Sequence, residues 1–440
     1  MLYRVIVNNY KSFAEEQQFD MFPNPKRENF PHHVLKSKQN IPVLKECAIY
    51  GANGAGKSNF INLLKFVKNF VTKEMSSLQE LNNWYLANRF KLPVAKNDKP
   101  IEMLIEFGIN ETVYIYLLSI DNKGIKEEKL YLSGKGAGEN NLIFSRNYSD
   151  VEFAITHISQ EIENVFKRQL SSNPAVSVLG INGTLHLIDN EIINNAYTWF
   201  DKNLKIVSFN RQIPWLIELF KANNKLLDFV NHVFTNIGLG INSLDIKESN
   251  IKDWIENHKQ EDSNTLSKVL EADNHYLSKM SESVPVFSVH AEDGMQTVRE
   301  FIFKQIGIGG YVGEMETIDQ STGTRRLLTL LPAIYDAINE EATVFIDEID
   351  NGIHPVLIKN LLLYFGNTSS KGQLIYTTHE TALLDQQHLL RADEVWLTEK
   401  VSGVTKMYSL NIFKIHKTIS IENGYLDGRY GAIPFLGNLE

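Results

Sequence analysis

Apolar positions fall into two kinds of pattern along the chain, and the kinds succeed one another in a definite order. Strand-like runs of β-branched and aromatic residues occupy 2–7 and 17–19, and another, at 43–50, leads directly into a glycine-rich turn. Beyond that turn Phe60, Leu63, Leu64 and Val67 recur at helical spacing, so one or two helices are expected over 59–86. Residues 101–107, 113–120 and 127–132 alternate as antiparallel strands do, with Asp121-Asn122-Lys123-Gly124 as a turn. Between 20 and 42, Pro23, Pro25, Pro31 and Pro42 stand among polar residues and predict an irregular surface connection. The pattern turns helical over 158–170, 189–201, 215–220 and 226–237, with no heptad repeat to extend a coiled-coil arm. Strand composition resumes at 284–289 and 299–303, and helix and buried strand alternate from 321 onward. The expected organisation is an α/β core in two parts, 1–150 (phosphate loop and β lobe) and 286–440, split by a helical insertion at 151–285.

Composition narrows the class. At 440 residues the chain can bury a large core, and 43% hydrophobic with 22% charged residues is the balance of a soluble globular protein. A net charge of −9 gives no general attraction to nucleic acid, so any DNA contact needs a local basic patch. Cys47 is the one cysteine, which excludes an intrachain disulfide and a multi-cysteine zinc site and fits a reducing compartment. Met1-Leu2-Tyr3-Arg4-Val5 lacks the apolar core of a signal peptide, and no apolar run approaches membrane-spanning length. A cytoplasmic location without a membrane partner is expected.

The chemistry concentrates at Gly51-Ala52-Asn53-Gly54-Ala55-Gly56-Lys57-Ser58, which fits the phosphate-loop pattern G-x-x-x-x-G-K-[ST]. Three glycines let successive N–H groups face one anion, and the following helix adds the positive end of its dipole. Asn53, Gly54, Ala55, Gly56, Lys57, Ser58 and Asn59 are the candidate nucleotide contacts. Polyphosphate is the natural ligand: Lys57 would reach the β- and γ-phosphates, and Ser58 would hold a Mg²⁺ ion already bound to them. The run Thr343-Val344-Phe345-Ile346-Asp347-Glu348 reads as a buried strand ending in two acids, Asp347 for Mg²⁺ and Glu348 to deprotonate the attacking water. Ser321 is placed to cap a helix carrying Leu327, Leu328, Leu330, Leu331 and Ile334. Gln373-Leu374-Ile375-Tyr376-Thr377-Thr378-His379 reads as another buried strand, with His379 able to contact a γ-phosphate or polarise the water.

These residues, with Asn9-Tyr10-Lys11-Ser12-Phe13 and Ser321-Thr322-Gly323, resemble an ABC-type ATPase of the SMC, RecF and Rad50 group. The fold implied is a P-loop NTPase: an ABC-type ATPase head with an antiparallel β lobe and a helical insertion. In that group two heads sandwich two nucleotides. The resemblance implies that Lys57, Ser58, Asp347, Glu348 and His379 of one copy meet Ser321 and Gly323 of another, with Asp350-Asn351-Gly352 at the interface between copies. Thr322 stands where transporter-type signatures carry glycine, and the glutamine that links metal to domain movement in such proteins has no assigned counterpart. More narrowly, residues 347–355, Leu389-Leu390-Arg391-Ala392-Asp393-Glu394-Val395-Trp396 and Gly428-Arg429-Tyr430-Gly431-Ala432-Ile433-Pro434 resemble the AAA15 or AAA_21 family. Its members include ATPases of bacterial restriction-linked and anti-phage systems, commonly encoded beside a separate effector.

The resemblance implies an ATPase that dimerises on ATP and acts as a switch in anti-phage defence, controlling a separate effector protein. A RecF-like DNA-binding ATPase is the alternative, motivated by Arg325-Arg326, and a largely non-hydrolytic scaffold is a third. A built-in nuclease finds little room, because only 391–440 follows the His379 strand and its next helix. The acids of Gly313-Glu314-Met315-Glu316 are expected in an exposed turn.

Overall fold

The computed structural model describes residues 1–73, 75, 77–92, 98–134, 138–155, 158–207, 213–257, 275–277, 287–292, 295–415 and 420–433. These form two compact units, one of Met1–Ile206, Asp336–Ile349 and Leu362–Glu440, the other of Val207–Tyr335 and Asp350–Leu361. The expected strand segment at 284–286 lies outside the described residues.

Besides a two-stranded ribbon of Val34–Lys36 and Pro42–Leu44, the first unit holds two larger sheets. One has seven strands in the order Asp150–Phe153, Asn141–Asn147, Gly124–Leu132, Thr112–Asp121, Ile101–Ile109, Leu2–Asn8, Gln17–Asp20, each paired antiparallel with its neighbours. This is the β lobe. The other runs Leu204–Val207, Thr343–Ile346, Gln373–Thr377, Glu46–Gly51, Val395–Val401, Val404–Ser409. Thr343–Ile346, Gln373–Thr377, Glu46–Gly51 and Val395–Val401 pair in parallel. Every residue of Thr343–Ile346, Gln373–Thr377 and Glu46–Gly51 is buried, as their continuous apolar composition requires.

Aromatic packing joins the sheets to the helix that follows the glycine-rich turn. Phe60, in the first turns of Lys57–Thr72, lies 5.2 Å ring to ring from Phe19 and 6.3 Å from Phe345, while Phe19 is 5.0 Å from Trp396. Each such ring contributes about 2–3 kcal/mol by burial. The start of that helix is therefore locked to the strand that ends in Asp347.

Under the parallel sheet lies a buried polar network. Arg391 is 1% exposed, grips Asp393 with two nitrogens at 2.8–2.9 Å, and donates to the carbonyls of Asn29 and Arg27. Asp393 also accepts from the Asn24 amide, so the proline-rich 20–42 connection is pinned rather than loose. Burial pushes the Glu46 and Glu394 carboxyls well above the usual range and pulls the His33 imidazole down to about 3. His33 Nδ1 sits 2.9 Å from Glu394. The Leu389–Trp396 motif is thus structural in this unit.

The second unit carries helices Ile213–Ala222, Asn224–Asn236 and Ile251–Asn257 beside a sheet of Ile241–Asn250, Met295–Ile306, Phe287–Glu292 and His275–Leu277, with Val312–Glu316 added on Met295–Ile306. Two features depart from the sequence expectation. Residues 241–250 form a strand paired over its length with Met295–Ile306, and its many polar, exposed positions hide it in the sequence. Glu314 and Glu316 lie in a strand rather than a turn, because backbone pairing with Lys304 and Ile302 captures them.

Two measurements check this packing. Replacing Arg391 with Met leaves Asp393 buried without its guanidinium, and the unfolding free energy in urea should fall by about 3–5 kcal/mol. Cys47 is fully buried, with its thiol pushed up by that burial, so a thiol reagent should label it only after denaturant is added.

Candidate functional site

The site grows from the parallel register. Pairing sets Phe345 opposite Ile375 and Ile346 opposite Tyr376, with Tyr376 opposite Ala48 and Thr377 opposite Ile49. The carboxyl ends of three strands therefore lie on one side, with Glu46–Gly51 running two residues past the position opposite Thr377, where an α/β sheet presents groups to a ligand.

The turn after Glu46–Gly51 passes through positive-φ backbone at Gly54 (77°) and Gly56 (115°). At Gly56 a Cβ would meet Thr405 Oγ1 at 2.5 Å and Ser12 Oγ at 3.2 Å, so glycine is required twice over. Gly56 also stands at the N-cap of Lys57–Thr72 and brings no side-chain cap, so the first-turn N–H groups face the loop. Thr405 Oγ1 belongs to a cluster joining Ser12 Oγ (2.8 Å) and the Ala55 carbonyl (2.7 Å), and Asn59 Nδ2 donates to Ser12 Oγ (2.8 Å). Ser12 comes from the Asn9–Phe13 motif, where Asn9 and Lys11 adopt left-handed backbone at φ 56° and 48°. That motif buttresses the loop from outside.

Lys57 is buried, and its Nζ donates to the Gly51 carbonyl at 2.7 Å and lies 3.1 Å from His379 Nε2. Ser58 Oγ donates to Asp347 Oδ1 at 3.3 Å. Asp347 Oδ1 also accepts from Thr377 Oγ1 at 2.7 Å, and the Glu348 amide donates to the same Thr377 hydroxyl at 2.7 Å. Glu348 itself stands at φ 50°, a left-handed position that costs a non-glycine residue about 1–3 kcal/mol. Asn53, Gly54 and His379 are exposed, and Ala55 is buried against Thr405. Lys57, Ser58, Asp347, Glu348 and His379 thus gather in one unit.

Ser58 and Asp347 offer two hard oxygen donors close together, the set that Mg²⁺ takes with phosphate oxygens and water. Among the described residues no group of three or more His, Cys, Asp or Glu could hold a metal alone. The donor set therefore fits a metal that arrives with phosphate.

Ser321 and Gly323 belong to the second unit. Ser321 Oγ accepts from the Thr324 amide at 3.1 Å, capping Thr322–Asn339, and Ser321 and Thr322 are exposed. A Cβ on Gly323 would meet the Gly352 carbonyl at 2.9 Å, so the Asp350–Gly352 loop and the start of this helix are neighbours. Arg326 is 5% exposed, which withdraws one of the Arg325-Arg326 pair from the surface.

One contributor, the stretch 425–433, carries no assigned chemistry in the sequence reading. A cavity of about 950 Å³ is lined by the loop tip 52–55, His379, Glu399 and the chain around Tyr425 and 431–433. Tyr425 OH donates to the Ala432 carbonyl and Tyr408 OH to that of Tyr430, fixing the closing turn there. The repeated glycines at 428 and 431, both at positive φ, are the available signal.

A glycine-rich anion cradle beside an acid-ended parallel strand, with an antiparallel lobe in the same unit, is the arrangement of a P-loop nucleotide-binding fold. The family described as "AAA domain, putative AbiEii toxin, Type IV TA system" matches residues 47–173 and 243–385, more than half of the chain, and the chain belongs to this AAA_21 family. Among solved structures it is similar to an SMC head bound to the C-winged helix domain of ScpA (14% identity, 97% of this chain and 99% of that one, TM-score 0.48). It is also similar to the SMC head domain from Thermotoga maritima (12%, 94% and 99%, 0.40) and to a Pyrococcus furiosus Smc head with an extended coiled coil bound to the C-terminal domain of ScpA (14%, 98% and 99%, 0.43). No curated protein matches the chain. Among the described residues no helix is long and apolar enough to cross a membrane.

Gly56→Ala tests the cradle directly. With φ at 115° and Thr405 in the way, the substitution should lower stability by about 1–3 kcal/mol in thermal denaturation. Ala at the exposed Gly54, where a Cβ meets nothing within 4 Å, should cost less.

Proposed function

We propose that the protein binds and hydrolyses ATP, that two copies join head to head around the nucleotide, and that the joined state controls a separate effector protein in anti-phage defence. One observation carries the chemical part: at the carboxyl ends of three parallel strands, Ser58, Asp347 and Glu348 are joined by hydrogen bonds directly or through Thr377, and Lys57 stands one residue before Ser58 beside His379.

The loop N–H groups and Lys57 bind and orient the β- and γ-phosphates. Ser58 Oγ and Asp347 would hold a Mg²⁺ ion, which would supply charge neutralisation to the phosphates. Glu348 takes the proton of the attacking water, and His379, 3.1 Å from Lys57 Nζ, sits where a γ-phosphate contact is available. Ser321 and Gly323 of a second copy complete the pocket, a role that their exposed, capped helix start suits. ATP favours the joined state and hydrolysis returns the separate one. The buried Arg326 weakens the DNA-clamping alternative, since phosphate contacts need exposed guanidiniums.

Glu348→Gln should lower phosphate release about 100-fold or more while ATP still binds, and light scattering should show the variant as a dimer in ATP. Turnover near that of the unaltered chain would remove the assigned chemistry. Ser321→Arg should leave ATP binding by the isolated chain within about twofold and abolish ATP-dependent dimerisation; a dimer that persists would remove the two-copy site. Pull-down of the product encoded next to this chain in one nucleotide state alone is the expected sign of a switch.

A further inference from the structure

Thr377 closes the strand Gln373–Thr377 and is fully buried, two residues before His379. Its hydroxyl donates its one proton to Asp347 Oδ1 and accepts, on a lone pair, from the Glu348 amide, both at 2.7 Å. Its carbonyl accepts from the Ile349 amide at 3.0 Å. One residue thus holds three consecutive residues of the neighbouring strand end through three hydrogen bonds, two of them on the hydroxyl. The held segment is the one whose backbone departs from the ordinary: Glu348 sits at φ 50°, and a β-strand leaving through a left-handed residue turns its side chain away from the direction that strand alternation would give it. Thr378 continues the same brace, its amide donating to the Ile49 carbonyl at 3.2 Å.

We propose that Thr377 is a positioning residue: its hydroxyl fixes the left-handed turn at Glu348 and the rotamer of Asp347, and so sets where the two acids point. It touches no reacting atom. The chemistry asks for a hydroxyl here. A carboxylate oxygen and an amide N–H face the same point, and only a group that donates and accepts through one atom satisfies both in a buried position. Valine matches the shape of threonine and satisfies neither; serine satisfies both and lacks one methyl. The kinetic half of this proposal rests on the ATPase reading above; the backbone half stands without it.

The experiment compares the full-length chain with Thr377→Val and Thr377→Ser in hydrogen exchange and in ATP turnover. In Thr377→Val the amide exchange of 347–349 should rise about tenfold or more, and in Thr377→Ser it should stay within about threefold of the unaltered chain. The rate constant kcat should fall about 10- to 100-fold in Thr377→Val with KM within about threefold, and Thr377→Ser should restore it to within about threefold. Unchanged exchange in Thr377→Val, or equal loss in both variants, overturns the proposal, the second because it assigns the effect to the missing methyl or to packing. Should Thr377→Val not fold, Thr377→Ala against Thr377→Ser makes the same comparison, and the same two outcomes decide it. A chain without turnover before any substitution would remove the proposed function, while the exchange comparison would still decide the clamp.

Discussion

Everything at the site depends on parallel pairing among three buried strands, Thr343–Ile346, Gln373–Thr377 and Glu46–Gly51. Hydrogen bonding between backbones sets a register that brings the ends of Thr343–Ile346 and Gln373–Thr377 within a residue of each other beside the turn after Glu46–Gly51, and side chains then need only short reaches to meet. A shift of one residue in that ladder would turn every following side chain to the opposite face and carry Asp347 away from Ser58. Apolar burial on both faces makes such a slip costly, because none of the strand positions is exposed.

The two ends of this sheet handle polar groups in opposite ways. At the amino ends, Arg391, Asp393, Glu394, Glu46 and His33 are sealed from water, Arg391 pairing with Asp393, His33 with Glu394 and Tyr376 with Glu46, and burial shifts the Glu46 and Glu394 carboxyls toward their neutral forms. At the carboxyl ends, Asp347, Glu348 and His379 stay partly or largely exposed and keep access to solvent-borne ligands. Stability and chemistry are thereby separated along one set of strands.

The phosphate loop, the acid-ended strand and the His379 strand are legible in the sequence because each is local. Glycine spacing, an unbroken apolar run and a terminal acid or histidine all lie within a few consecutive residues. The supports are harder to read. Ser12 meets Thr405 across 393 positions, and Thr377 meets Glu348 across 29, and neither partner announces the other in composition or periodicity. The strand at 241–250 escapes for a different reason: with apolar residues only at scattered positions, its identity comes from pairing with Met295–Ile306 rather than from its own pattern. Glu314 and Glu316 suggest a turn on the same ground, since partner-imposed strands carry weak local signals.

The strand Glu46–Gly51 lies early in the chain, yet both of its neighbours, Gln373–Thr377 and Val395–Val401, come more than three hundred residues later. As the chain leaves the ribosome, this strand waits with both edges unpaired, and the segment that Arg391 will anchor waits with it. The unit that holds the phosphate loop can therefore close only after the intervening residues have been made. That order of assembly leaves an apolar strand open to other chains until the residues that flank it in the sheet emerge.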